Sequence, residues 1–245
     1  MLLQLDRINY TPPNFTHPLL IDITFNLAAG EAITLTGATG AGKSTLFRLL
    51  NRLSEPTSGQ ILLDGLNYQT LPSIDLRRRI MLVSQEPKFL GMKVTEALTY
   101  PLKLQALSED EIKQRIVTIT EQFEIPIEWF DRTESQLSAG QKQIVSIARG
   151  VITQPQILLL DEPIAHLDFT TGERILTTLK NIATTQQVGM ITINHQLELA
   201  TKFSDRLLCL QDRKIVLDRI TTSIGWQNIQ AQIRESEQTS IAEWE

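Results

Sequence analysis

The chain has 245 residues, a length that suits one large α/β domain with a subdomain and a substantial buried core. Hydrophobic residues make up 42 % and charged residues 21 %, which excludes the disordered, collagen-like and disulfide-scaffold classes. The formal net charge of -5 argues against a protein that neutralises a nucleic-acid backbone, so we expect no nucleic-acid partner.

The compartment is indicated by the N-terminus and by the cysteine content. The N-terminal segment reaches Asp6 and Arg7 before any apolar run of signal-peptide length has accumulated, and about 18 consecutive apolar residues occur nowhere. Cys209 is the single cysteine, which excludes an intramolecular disulfide and favours a reducing compartment. We therefore expect a cytoplasmic chain that does not cross a membrane by itself.

Three segments near the N-terminus have patterns typical of antiparallel strands. They cover residues 2–8, 19–27 and 60–63, and in the second of them Ile21 and Ile23 alternate with polar residues. Such alternation places the apolar side chains on one face of a sheet. These segments therefore predict a side sheet close to the N-terminus.

Four short apolar runs have the Leu-rich or β-branched composition of strands that are buried on both faces of a parallel sheet. They cover residues 33–36, 80–83, 157–160 and 188–193. Helical patterns lie between them, so the alternation predicts βαβ units. Each run leads directly into polar residues. Because ligands bind at the carboxyl ends of such strands, we expect these ends to meet at one site.

The regions around this core are predicted to be helical or hairpin-like. Residues 86–149 predict a helical subdomain inserted into the α/β core. Residues 206–218 predict a hairpin that turns at residues 211–214. We expect one domain over residues 1–218, followed by a short polar tail or helix over residues 219–245.

The run GATGAGKST at residues 37–45 matches the phosphate-binding loop and lies between a predicted strand and a predicted helix, as that motif requires. Its glycines let successive backbone N–H groups turn towards phosphate oxygens, and the following helix adds the positive end of its dipole. Lys43 supplies charge to the β- and γ-phosphates, and Ser44 offers a hydroxyl to Mg²⁺. The binding candidates are Gly37, Ala38, Thr39, Gly40, Ala41, Gly42, Lys43, Ser44 and Thr45.

Two acids, Asp161 and Glu162, follow the apolar run at residues 157–160. Asp161 suits the coordination shell of Mg²⁺, and Glu162 suits the polarisation of an attacking water. Taken alone, the pattern has an equally common meaning, because many buried strands end in a solvated acid. The phosphate-binding loop upstream favours the catalytic interpretation.

The run LSAGQ at residues 137–141 precedes a helical pattern. Ser138 is a predicted N-cap with Gln141 three residues on, so the helix start presents a hydroxyl and free N–H groups to an anion. By itself the run indicates only a capped helix. Together with the phosphate-binding loop and the two acids, it resembles the Leu-Ser-Gly-Gly-Gln signature of the ATP-binding cassette family.

This resemblance covers nearly the whole chain and implies a P-loop NTPase fold. That fold has a mainly parallel core sheet, an antiparallel side sheet and an inserted helical subdomain. The implied activity is Mg²⁺-dependent ATP hydrolysis. Matched motif by motif, the implied catalytic residues are Glu162, His195 and Gln85, and the implied metal-binding residues are Ser44, Gln85 and Asp161.

The resemblance also implies a base-stacking aromatic. Tyr10 is similar in place to the family residue that stacks on adenine, and Phe15 is the alternative. Tyr10 could equally be a surface aromatic in a Pro-rich loop, with no binding role. Both interpretations stay open at this point.

In this family the signature of one subunit completes the phosphate site of another, so the resemblance implies a second cassette subunit, with a homodimer expected. Asp168 lies in the matching interface loop, and the residues implied to contact ATP in trans are Ser138, Ala139, Gly140 and Gln141. A separate transmembrane permease is also implied, contacted through the helical subdomain. The chain is then expected to be peripheral on the cytoplasmic face of the inner or plasma membrane.

Three residues depart from the family pattern. Ala139 replaces the first glycine of the signature, for which we expect reduced tolerance rather than loss of ATP contact. His166 and Ile164 replace a common alanine and a frequent threonine in or beside the interface loop. The sequence does not determine the effect of these two changes.

Alternatives to transport stay open. The stretch at residues 85–101 loosely resembles cassettes tied to iron efflux and aluminium tolerance, which sets no substrate. A cassette that assembles iron–sulfur clusters with soluble partners has a similar length and is the main alternative. A third possibility is a cassette that drives work through membrane partners without moving a substrate across the bilayer.

Overall fold

The structure is a computed structural model that describes residues 1–194, 199 and 202–221. Within these residues it contains two β-sheets and six α-helices. The predicted tail lies outside the described residues apart from residues 219–221. None of the helices in the described part combines the length and the hydropathy that crossing a bilayer requires.

The core sheet has six strands in the order β10-β9-β3-β8-β7-β6. Four of them, β3, β8, β7 and β6, run parallel to one another, β9 is parallel to β3, and β10 pairs with β9 in the antiparallel sense. Their bounds are β3 Ala32–Thr36, β6 Ile80–Val83, β7 Ile157–Asp161, β8 Gly189–Ile193, β9 Arg206–Gln211 and β10 Lys214–Ile220. The four predicted apolar runs are therefore confirmed as neighbouring parallel strands.

The side sheet is antiparallel and has four strands in the order β2-β1-β4-β5. Its strands are β1 Leu3–Tyr10, β2 Leu20–Leu27, β4 Ser58–Leu63 and β5 Leu66–Asn67. The three predicted strands are confirmed to within two residues at each end. The fourth, β5, was not predicted, because its two residues are too short to show any periodicity.

The six helices cover the core sheet and fill the insertion. They are α1 Lys43–Leu50, α2 Ser73–Arg79, α3 Val94–Leu104, α4 Glu109–Gln122, α5 Ala139–Val151 and α6 Phe169–Gln186. Three of them, α3, α4 and α5, form the predicted helical insertion, with short 3-10 turns between α4 and α5. Helix α2 was not predicted, because only Leu76 among its seven residues is buried and no apolar stripe marks it.

The core sheet separates two hydrophobic clusters, one on each face. On one face Leu158 and Leu160 of β7 pack with apolar residues of α3, α4, α5 and α6. On the other face Leu159 of the same strand packs with α1 and the inner face of the side sheet. Strands β3 and β8 are buried at every position because they too have a hydrophobic cluster on each face. Burial on both faces is the condition under which parallel sheets occur, and it explains why these runs are rich in Leu and β-branched residues.

The terminal hairpin has the predicted turn. Asp212 and Arg213 form its two-residue loop, and both have positive φ values, 48° and 68°, as the tight hairpin turn of this class requires. Strand β10 continues two residues beyond the predicted end at residue 218, because Arg219 and Ile220 still pair with β9. The domain boundary expected at residue 218 thus falls inside a strand.

Candidate nucleotide site

The phosphate-binding loop connects β3 to α1 and is shaped by close approach to other strands. Gly37 has φ 145°, and a Cβ atom there would lie 2.1 Å from the carbonyl oxygen of Leu210 on β9. Gly42, with φ 105°, is the residue that immediately precedes α1, and a Cβ there would lie 3.0 Å from the side chain of Leu20. Any other residue at position 37 would displace the loop from the sheet.

Lys43 begins α1 and turns its side chain back under the loop. Its Nζ donates hydrogen bonds to the carbonyl oxygens of Gly37 at 2.7 Å and Ala38 at 2.9 Å. The residue is only 8 % exposed. The ammonium group is therefore fixed in the middle of the loop, where its charge can act on phosphate oxygens bound by the same backbone.

Ser44 and Asp161 meet beside the loop, although 117 residues separate them in the sequence. The Asp161 carboxylate and the Ser44 side chain are hydrogen-bonded. Burial raises the pKa of the Asp161 carboxyl above its ordinary value, the bond to Ser44 opposes this, and the charge of Glu162 raises the pKa further. The positive charges of Lys43 and Arg48 act in the opposite direction.

Arg48 is a residue of this site that was not predicted. It lies one turn after Ser44 on α1, and its charge favours the ionised form of Asp161. A signal for it was available, because residues at i and i+4 share a helix face, and Ser44 was already a candidate.

Gln85 and Glu162 are brought together at the ends of adjacent strands. Gln85 Nε2 donates a hydrogen bond to Glu162 Oε2 at 3.0 Å. The backbone N–H of Glu162 donates to the carbonyl oxygen of Ile193, and Glu162 has φ 50°. Left-handed geometry costs a non-glycine residue free energy and occurs in turns and at functional sites.

His195 lies outside the described residues, so its predicted role stays a prediction. The strand before it is placed, and β8 lies between β3 and β7 with Ile193 paired to both Leu35 and Asp161. The backbone N–H of Asn194 donates to the carbonyl oxygen of Leu35. The carboxyl ends of β3, β8, β7 and β6 therefore share one edge, as predicted from the sequence.

The two candidate stacking aromatics differ in their surroundings. Tyr10 is half-buried at the end of β1 and pairs with Leu20, whose side chain also contacts the loop at Gly42. Phe15 is 60 % exposed in the segment between β1 and β2. Tyr10 therefore shares the neighbour Leu20 with the phosphate-binding loop, and its role in adenine stacking stays a prediction.

The signature run forms a capped helix start. Ser138 Oγ accepts a hydrogen bond from the backbone N–H of Gln141 at 3.2 Å, and Gln141 Oε1 accepts one from the N–H of Ser138 at 2.9 Å. Ala139 is the first residue of α5, so its backbone is helical and the extra methyl causes no strain. A Cβ on Gly140 would lie 3.0 Å from the carbonyl oxygen of His166. The signature therefore packs against the predicted interface loop of the same chain.

That interface loop, predicted over residues 165–168, ends at Asp168, which caps α6. Asp168 Oδ1 accepts from the N–H of Thr171 at 3.0 Å, and these hydrogen bonds lower the pKa of the Asp168 carboxyl. His166 and Asp168 are exposed, whereas Ile164 is buried and faces Gly172 of α6. Ile164 therefore has a packing role, and His166 remains available on the surface.

Comparison with known proteins identifies the family. The sequence model of the ABC transporter family matches residues 20–165, which include the phosphate-binding loop, the signature and both acids. The chain belongs to the ABC transporter family. The sequence resemblance is thereby confirmed, and so is the predicted fold class.

Two relatives illustrate the similarity. The methionine import ATP-binding protein MetN of Legionella pneumophila is 36 % identical over 201 residues, which cover 80 % of this chain and 59 % of MetN. An uncharacterised ABC transporter ATP-binding protein, MJ0089 of Methanocaldococcus jannaschii, is 30 % identical over 234 residues, 94 % of this chain and 91 % of the relative. The chain thus spans about three fifths of the length of the methionine import protein and nearly all of the second relative.

A solved structure is similar to this chain in both fold and sequence. The dimeric ATP-binding cassette MJ0796, in a post-hydrolysis state with ADP and phosphate bound, superposes with a TM-score of 0.79 at 26 % identity. The alignment covers 91 % of this chain and all of that cassette.

The donor set of the site fits Mg²⁺. Ser44 and Asp161 offer a hydroxyl and a carboxylate in mutual hydrogen-bond contact, and hard oxygen donors of this kind are the ligands that Mg²⁺ prefers. Within the described ranges no group of three or more His, Cys, Asp or Glu side chains could hold a metal alone.

Proposed function

We propose that this protein is the ATP-binding and ATP-hydrolysing subunit of an ABC transporter. The observation that carries the proposal is the convergence of Lys43, Ser44, Asp161 and Glu162 at one edge of the core sheet. One group binds phosphate, two hold a metal, and the last is placed to activate water. Membership of the ABC family and the ADP-bound relative support the same activity.

Each residue has a separate role in ATP hydrolysis. Lys43 and the backbone N–H groups of residues 37–45 bind the β- and γ-phosphates. Glu162 accepts a hydrogen bond from the water whose oxygen attacks the γ-phosphorus, and Gln85 holds the Glu162 carboxylate in place. The bond to the β-phosphate oxygen breaks, and the products are ADP and phosphate. Ser44, Asp161 and Gln85 would hold Mg²⁺, which would neutralise negative charge on the phosphates.

Two subunits are needed for a complete site in this proposal. The chain carries one phosphate-binding loop and one signature. The capped start of α5 exposes Ser138, with Gly140 half-exposed beside it, as a surface suited to the γ-phosphate held by a second subunit. Asp168 and His166 lie on the adjacent loop and face the same partner. The dimeric state of the similar cassette supports a head-to-tail pair, with a homodimer expected.

The contact surface for a permease lies on the helical insertion. This part of the chain exposes large apolar side chains, of which Leu90 is 85 % and Ile127 75 % exposed. Leu90 also has φ 55° in the segment that follows Gln85. A membrane-spanning subunit docked here is connected to the catalytic edge through Gln85. The protein is then peripheral on the cytoplasmic face of the membrane, although the transported substrate is not determined.

Co-purification tests this function against iron–sulfur cluster assembly. The tagged Glu162→Gln variant is captured with Mg-ATP from detergent-solubilised cells, and the Lys43→Met/Glu162→Gln double variant is the matched control. We expect a multi-span membrane protein with the single variant and its loss with the double variant. Its addition to the purified wild-type cassette should then stimulate ATP hydrolysis. Capture of soluble proteins alone contradicts transport and favours cluster assembly.

A further inference from the structure

Gln143 is a buried polar residue on α5 that the ATP-hydrolysis mechanism does not use. Its exposure is 0 %, and neither the Nε2 nor the Oε1 atom has a hydrogen-bond partner among the described residues. A glutamine amide can donate two hydrogen bonds and accept two. Burial without partners costs free energy, and buried polar groups in proteins are almost always satisfied.

Two glycines on nearly the same face of α5 show which parts of the chain lie near Gln143. Gly140, three residues earlier, lies against the backbone of His166 in the interface loop. Gly150, seven residues later, lies against Val83 of β6 and Leu158 of β7. Because a helix rises 1.5 Å per residue, Gln143 lies about 10 Å from Gly150 towards the catalytic edge. It therefore occupies the region between the interface loop and the strands that lead to Gln85 and Glu162.

A group that has partners in only one of two arrangements favours that arrangement. The segment of residues 163–168, which ends in the interface loop, lies against α5 one turn before Gln143, because the His166 carbonyl oxygen would be 3.0 Å from a Cβ on Gly140. The segment begins directly after Glu162. A shift of this segment relative to α5 would therefore change the environment of the Gln143 amide and the catalytic edge together.

We propose that Gln143 is a positioning residue that couples the signature helix to the interface loop. Its amide binds main-chain groups of residues 163–168 in the ATP-bound pair of subunits and lacks these bonds in the arrangement described here. Gln143 contacts no nucleotide in this proposal and acts through the loop. The inference rests on the proposed function, because it requires that ATP binding drives the pairing of two subunits.

The test uses Gln143→Met, which keeps the side-chain length and removes the amide. Without nucleotide, the variant should melt about 3 °C higher, because an unsatisfied buried group has been removed. In the Glu162→Gln background, the ATP concentration that half-saturates pairing should rise about tenfold, because the hydrogen bonds formed only in the pair are lost. Pairing is measured by light scattering, and Gln143→Leu is the second variant.

The matched control is Ile147→Met, at a buried position one turn later on the same helix. It should leave the ATP dependence of pairing unchanged. A lower melting temperature for both Gln143 variants overturns the inference, because the amide is then satisfied without nucleotide, for example by buried water. An equal shift in ATP dependence for Gln143→Met and Ile147→Met also overturns it. If the Glu162→Gln parent does not pair with ATP, the proposed function has failed rather than the role of Gln143 alone.

Discussion

Gln85 Nε2 donates a 3.0 Å hydrogen bond to Glu162 Oε2, which joins the end of β6 to the end of β7. The two strands are adjacent and in register, so the bond links the loop before the helical insertion directly to the candidate catalytic carboxylate. A single side chain therefore joins the start of the helical insertion to Glu162.

Replacing Gln85 with alanine should slow turnover more than it weakens ATP binding. The carboxylate of Glu162 loses one of its orienting contacts, so we expect kcat to fall about tenfold while the Kd for ATP changes little. Steady-state ATPase kinetics and nucleotide titration measure the two effects. Glu86→Ala, at the next and equally exposed position, is the control and should keep normal kcat. A Gln85→Ala enzyme with wild-type kcat excludes the orienting role.

Glu162→Gln should abolish turnover but preserve binding. The amide keeps the size of the side chain but cannot accept a proton from water, so we expect kcat to fall about 100-fold or more. ATP should then hold two subunits together, as measured by size-exclusion chromatography with and without Mg-ATP. Unchanged turnover in this variant refutes the assignment of Glu162.

Lys43→Met should remove ATP binding. The ammonium group is held by the carbonyl oxygens of Gly37 and Ala38. The methionine side chain has neither the charge nor the N–H donors that bind phosphate oxygens. Loss of charge-assisted bonds should raise the Kd for ATP about 100-fold. Calorimetric titration measures the change, and circular dichroism verifies that the variant is folded. Retention of wild-type affinity would show that Lys43 does not contact the nucleotide.

Two glycines of the phosphate-binding loop should differ in their tolerance of alanine. Gly37→Ala places a methyl group 2.1 Å from the Leu210 carbonyl oxygen and should lower the free energy of unfolding by about 3 kcal/mol or more. In Gly40→Ala the added methyl group meets no atom within 4 Å. This change should lower the free energy of unfolding by only about 1–2 kcal/mol, because residue 40 has a positive φ that alanine adopts at a cost. Urea denaturation compares the two variants directly. Equal destabilisation would mean that the contact with β9 does not constrain the loop.

Asp161→Asn should stabilise the protein while it removes activity. Burial raises the pKa of Asp161, so the ionised form costs free energy at neutral pH, and this cost disappears below the ordinary pKa of an aspartate. The variant should therefore melt a few degrees higher than the wild type at pH 7, with the difference vanishing as the pH falls towards the acid range. Thermal melts from pH 4 to pH 8 test the sign, and ATPase assays should show loss of Mg²⁺-dependent turnover. A variant less stable than the wild type at pH 7 contradicts the pKa argument.

Much of the fold could be predicted because its signals are short and local. The runs of residues 33–36, 80–83 and 157–160 are rich in Leu and β-branched residues because their strands lie inside a sheet that is covered on both faces, and this composition indicates a parallel sheet. Helix α2 and strand β5 escaped prediction because their few buried positions leave no periodic pattern.

The residues of the candidate site likewise include some that were predicted from local signals and some that were not. Within residues 37–45 the functional groups are consecutive, so glycine spacing and the flanking strand and helix sufficed to predict the phosphate-binding loop. Arg48 was not predicted, although its i, i+4 relation to Ser44 could have indicated it. Gln143 was not predicted, because an amide buried without partners leaves no mark in the sequence.

By itself, the sequence determined most of the strands and helices along the chain, the phosphate-binding loop, the acid pair and the capped signature helix. Each of these depends on residues within about a dozen positions of one another, where helix and strand periods and capping rules apply. Only the tertiary structure decided that Ser44 meets Asp161, that Gln85 holds Glu162 and that Leu210 leaves no room at Gly37. These contacts depend on the order of strands in the sheet, and that order is fixed by the packing of two hydrophobic clusters rather than by any local signal.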